Sequence, residues 1–159
     1  MAELRTLLTK AGFANVQTYI QSGNCVLESA ETDARLIESA IHSAIANEFG
    51  YQLPIMALSK SNLANVIKAN PYDVAEGQEK TVHIFILSKT ASSPDLDKLE
   101  VLKAPSEKYT LTGEAFYLHA PDGIGRSKLA TGAEKCLGVP VTARNLRSVK
   151  KVLSLAETA

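Results

Sequence analysis

The stretch Thr81-Val82-His83-Ile84-Phe85-Ile86-Leu87 constrains this chain most. β-Branched and aromatic residues dominate it, and its near-continuous apolarity predicts a strand buried on both faces. Such a strand needs covering elements, and the following residues supply them in order. Ser92-Ser93-Pro94-Asp95 opens a helix, with Pro94 in a favoured first-turn position and Leu96, Leu99 and Leu102 inward. Lys108–Leu111 and Ala115–His119 flank Thr112-Gly113-Glu114 and predict a hairpin. A Gly-rich stretch then leads into a helix from Leu129 to Leu137, which Gly138 stops. A strand at Val139–Ala143 and a helix at Asn145–Ala156, with Leu146, Val149, Val152 and Leu153 inward, complete the half.

The first half carries a similar series. Ala2–Ala11 places Leu4, Leu7, Leu8 and Ala11 on one helical face, and Gly12 ends it. Val16–Ile20 and Cys25–Glu28 predict a hairpin around the turn residues Gln21-Ser22-Gly23-Asn24. Thr32 or Asp33 caps a helix through Phe49, with Ile37, Ile41, Ala44, Ile45 and Phe49 inward, and Gly50 stops it. Leu53–Leu58 is expected as a strand. Ser59 or Ser61 then caps a helix carrying Leu63, Val66 and Ile67, which Asn70-Pro71 ends.

Together these series repeat at roughly ninety residues. The second follows the βαββαβ order of a split βαβ unit. The expectation is therefore an α+β fold of two tandem ferredoxin-like units. Residues 1–72 form the first, residues 73–80 a polar linker, and residues 81–159 the second. The first half lacks the strand that would precede its opening helix, so a chain starting at an internal Met, with an exposed sheet edge beside the missing strand, is expected; the alternative is that the two halves simply differ.

The chain has 159 residues, 45% of them apolar, which suffices for a buried core. No apolar run approaches the ~20 residues of a membrane span, so no membrane partner is expected. Cys25 and Cys136 lie far apart among apolar neighbours, which fits core positions and a reducing cytoplasmic setting. No CxxC or Cys/His cluster suggests a metal site, and no cofactor is expected. Formal charge is zero, but from Pro121 onward seven Arg and Lys face three acids. That is a local basic face, not the strongly basic domain of a dedicated DNA binder.

Pro121-Asp122-Gly123-Ile124-Gly125-Arg126-Ser127-Lys128 carries the clearest chemistry. Glycines let successive N–H groups curl round an anion, and a helix start adds free N–H groups and partial positive charge. The spacing fits neither a Walker A loop nor a dinucleotide-binding fingerprint. Arg126 and Lys128 oppose the helix dipole there, which an anion would offset. Gly123, Gly125, Arg126, Ser127, Lys128 and Arg144 are the candidate anion ligands; the alternative is a structural turn. Tyr117 and His119 share a strand face leading into the stretch. His119 is a candidate proton carrier or else a satisfied strand-end histidine. Gln21, Ser22 and Asn24 are candidate secondary contacts or simply a hairpin turn. Asn145 suits a helix cap as well as a ligand contact.

Several of these segments resemble an uncharacterised bacterial family, domain of unknown function 1697. The resemblance rests on Met1-Ala2-Glu3-Leu4-Arg5, Thr18-Tyr19-Ile20-Gln21-Ser22-Gly23-Asn24, Tyr117-Leu118-His119 with Pro121–Leu129, and Thr142-Ala143-Arg144-Asn145. It implies a doubled ferredoxin-like fold without an established activity. Members usually begin with a strand and a Gly-rich arginine loop ahead of Met1, and carry Trp where this chain has Leu146.

One function is expected first, with two alternatives to it. The first is binding of an anionic, phosphate-bearing small molecule, nucleotide or nucleic acid. The second is an enzyme on a phosphorylated or carboxylated substrate using His119. The third is a structural or self-associating protein.

Overall fold

The computed structural model describes residues 2–19 and 23–158. Among them are six α-helices and two antiparallel sheets, a mixed α+β architecture. The chain divides into two compact units, Met1–Ala64 with Lys150–Ala159, and Asn65–Val149.

In the first unit, α1 (Ala2–Lys10) leads into β1 (Ala14–Tyr19), which pairs with β2 (Asn24–Glu28). The register places Thr18 opposite Cys25 and Tyr19 opposite Asn24, with an irregularity between Ala14 and Gln17. Asn15 sits there at φ 50°, the kind of position where an Asn tolerates the left-handed region. α2 (Ala34–Phe49) begins as the sequence predicts, with the Asp33 side chain accepting from the Arg35 amide. α3 (Lys60–Lys68), whose residues from Asn65 onward belong to the second unit, is capped by Ser59, whose hydroxyl accepts from the Asn62 amide. Leu8, Phe13 and Ile45 are buried.

Leu53–Leu58 is not a strand. The sheet of this unit holds two strands among the described residues, so the expected first βαββαβ unit is not completed. The physical reason lies in α2. His42 Nδ1 donates to the Leu53 carbonyl at 2.8 Å, and the Ala57 amide donates to Glu38 Oε1 at 2.9 Å. Side chains of α2 thus take backbone groups that a strand would offer to a neighbour.

The second unit follows the predicted order. β3 (Val82–Leu87), α4 (Leu96–Leu102), β4 (Lys108–Leu111), β5 (Ala115–His119), α5 (Lys128–Leu137) and β6 (Val141–Asn145) succeed one another. α6 (Leu146–Thr158) follows, and from Lys150 onward it belongs to the first unit. The sheet order is β4-β5-β3-β6, with all neighbours antiparallel. β3 has a strand on each side and is buried along its length apart from half-buried His83. On one face of the sheet Phe85, Leu87, Phe116, Leu118 and Ala120 join Leu99 of α4 and Leu129, Ala133 and Leu137 of α5 in one core. Val82, Ile84, Ile86, Ala115 and Tyr117 are buried on the other face.

Two local expectations shift. Asp95, not an earlier residue, caps α4 by accepting from the Lys98 amide at 3.0 Å, so Pro94 precedes the helix. Leu96, expected inward, is 51% exposed because it falls at the first helical position, while Leu99 meets the core.

Candidate functional site

The Gly-rich stretch forms a turn, a short 3-10 segment at Ile124–Arg126, and then α5. Gly123 sits at φ 103°, ψ 144°, a region open essentially to glycine alone, and its amide donates to the Ala120 carbonyl at 3.0 Å. Asp122 accepts from the Ser106 hydroxyl at 2.6 Å, which pins the start of the turn to the segment before β4. Ser127 is 5% exposed. Its hydroxyl accepts from the Ala130 amide at 3.0 Å as the helix cap.

This turn borders a cleft of about 830 Å³ between α4 and α5. Gly125, Arg126, Ser127 and Lys128 line one part of it. Thr131, Gly132, Lys135 and Cys136 continue along α5, and Asp95, Lys98 and Leu102 face them from α4. Lys128, Thr131 and Lys135 recur at helical spacing, which puts them on one stripe of α5. The helices run in opposite senses: the Asp95 amide donates to the Cys136 carbonyl at 2.8 Å, tying the start of α4 to the end of α5. Midway, Gly132 lets Leu102 come so close that a Cβ there would lie 2.6 Å from Leu102 Cδ1. The cleft wall therefore carries four cationic side chains and one carboxylate.

Arg126, Lys128 and the Gly125 backbone meet at this cleft, with Ser127 between them. Gly123 shapes the approach and is not among the lining residues. Arg144 lies elsewhere. Strand register sets it opposite Ile84, and Ile84 opposite Tyr117. That row belongs to the sheet face away from α4 and α5. The Arg144 Nη1 donates to the Ala143 carbonyl at 2.8 Å and to Thr142 Oγ1 at 3.1 Å.

Tyr117 and His119 do share a strand face, but it is that same far face. The Tyr117 hydroxyl donates to the Val66 carbonyl at 2.6 Å. Burial, with the Glu114 charge adding to it, pushes the phenol up from its ordinary pKa, so it remains a donor. His119 stacks on Tyr72 at 6.0 Å between ring centroids, and Tyr72 in turn hydrogen-bonds Thr110 at 2.8 Å. The fold does not bring His119 to the cleft. Asn145 acts as the cap of α6, its Oδ1 accepting from the Ser148 amide at 2.9 Å. Asn24 closes the β1–β2 pairing, its side chain reaching the Tyr19 carbonyl at 3.4 Å; Gln21 and Ser22 lie outside the described residues.

Sequence reasoning missed Lys98, Lys135 and Asp95. The spacing of Lys128, Thr131 and Lys135 was the one available signal, and Lys98 had none, because its place depends on how α4 packs. Among the described residues, no group of three or more His, Cys, Asp and Glu could hold a metal ion. Cys25 and Cys136 are free thiols, Cys136 buried and Cys25 half-buried. No described helix is long and apolar enough to cross a membrane.

Comparison with known proteins adds two findings. A family model described as a protein of unknown function, DUF1697, matches residues 1–117. The cleft turn and α5 thus lie beyond the matched residues. A conserved bacterial protein from Streptococcus pneumoniae has a similar fold, with a TM-score of 0.61 at 20% identity over 99% of this chain and 88% of that one. No curated protein matches.

Proposed function

We propose, for a chain that belongs to the DUF1697 family of proteins of unknown function, that the α4–α5 cleft binds an anionic, phosphate-bearing ligand such as a nucleotide or nucleic acid. One observation carries this. Lys98, Arg126, Lys128 and Lys135 line a single concave surface on which Asp95 is, among the described residues, the only carboxylate. Like charges gathered in a cleft repel one another, and a bound anion relieves that repulsion. Arg126 and Lys128 flank the α5 N-terminus, where cations oppose the helix dipole and an anion complements it. Gly123 and Gly125 keep side chains away from the approach.

On the fold, we propose that the two halves, joined through residues 73–80, are related as tandem ferredoxin-like units. The βαββαβ order of the second unit and the hairpin followed by α2 in the first support this.

A thermal-shift series on the full chain at low salt, with phosphate, nucleotides, sugar phosphates and short RNA, tests the binding reading. Stabilisation by a phosphate-bearing compound is expected, with its loss in the Arg126→Ala/Lys128→Ala double variant and its retention in Arg144→Ala. No shift with any of these anions would sink the proposal.

A further inference from the structure

The four cations of the cleft are not gathered at one point. Lys128 and Lys135 are separated by seven residues on one stripe of α5, a span of about 10 Å along the helix axis at the usual rise. Arg126 stands with Lys128 at the start of α5. The hydrogen bond from the Asp95 amide to the Cys136 carbonyl sets the first turn of α4, and with it Lys98, at the other end beside Lys135. Between the two ends the wall is uncharged: Leu102, Thr131 and Gly132. None of the lining residues is aromatic, so the cleft lacks the stacking surface that single-stranded nucleic-acid sites use.

From this arrangement we infer that the cleft takes an elongated small molecule with an anionic group at each end, roughly 10 Å apart, joined by an uncharged segment. The inference rests on the anion-binding reading above and specifies its ligand. Arg126 and Lys128 hold one anionic group, and Lys98 and Lys135 the other. The Asp95 carboxylate, already accepting from the Lys98 amide, makes the second end less positive than the first. Leu102 and Thr131 contact the connecting segment.

Calorimetric titration of the full chain with inorganic phosphate, methylphosphonate and a series of α,ω-alkane bisphosphonates of graded length tests it. Affinity is expected to rise with length, with a maximum where the two phosphonates lie about 10 Å apart. At that length it should exceed methylphosphonate by at least roughly tenfold, since the second contact becomes intramolecular. Lys135→Ala should remove that gain while leaving methylphosphonate affinity within about twofold, whereas Arg126→Ala should weaken both probes. Binding of phosphate and methylphosphonate with no dependence on bisphosphonate length would overturn the two-ended site and leave the anion-binding reading standing. Failure of phosphate and every phosphonate to bind would overturn both.

Discussion

The Tyr117 hydroxyl donates to the backbone carbonyl of Val66 at 2.6 Å, across 51 residues of sequence. Val66 lies in the last turn of α3, where carbonyls have no partner within the helix. Tyr117 is 1% exposed, so this one bond satisfies two buried polar groups at once. Tyr117→Phe keeps the ring and deletes the donor. We expect a loss of about 1–3 kcal/mol in urea denaturation, with little change in the slope of the transition. A loss indistinguishable from zero would mean that water reaches the Val66 carbonyl.

Gly123 and Gly125 make a matched pair for the cleft turn. A Cβ at either position meets nothing within 4 Å, but only Gly123 has positive φ. Gly123→Ala is therefore expected to destabilise by about 1–3 kcal/mol through backbone strain alone. Gly125→Ala should leave the melting temperature nearly unchanged. Equal melting temperatures for the two variants would contradict the backbone assignment at Gly123.

Ser127 was a candidate ligand, and its hydroxyl is the cap of α5. Ser127→Ala should cost about 1 kcal/mol of stability, and Ser127→Asp should recover most of it as an alternative cap. The ligand reading separates from the cap by charge. If the hydroxyl serves only the helix, Ser127→Ala leaves phosphate affinity unchanged once the protein is folded. An affinity loss in a fully folded sample would return Ser127 to the list of anion contacts.

His83 gives the chain a pH dependence of definite sign. Burial lowers its pKa from the ordinary value, with a backbone interaction at Lys80 opposing the shift. The unfolded chain then binds a proton near pH 6.5 before the folded chain does. Stability is complete above that value and falls as the pH drops from about 6.5 towards the lower folded pKa. Below both values the contribution is constant. Denaturant midpoints at graded pH should show this decline, and His83→Gln should flatten it. An unchanged slope in that variant would assign the decline to other groups.

Local signals carried much of the fold. Asp33 and the hydrophobic spacing behind it specified α2, because a cap and a face are properties of neighbouring residues. Asn145 was legible as a cap for the same reason, and the apolar run at β3 announced a strand with partners on both sides. Leu53–Leu58 failed as a strand because a ladder needs a neighbour, and the neighbours of Leu53 and Ala57 are His42 and Glu38. Whether α2 side chains or another strand would take those groups is not encoded within the segment.

The candidate site divides along the same line. Sequence by itself determined that Gly123–Lys128 is a glycine turn feeding a helix start with two cations, because backbone freedom, capping and dipole are local. Only the tertiary structure decided its companions. Antiparallel register set Arg144, Tyr117 and His119 on the far face of the sheet, since alternation commits a side chain to one face once its strand is paired. Packing of α4 against α5 brought Lys98 to the Lys135 end of the cleft, a proximity that follows from core contacts of Leu99 and Leu102 and not from place in the chain.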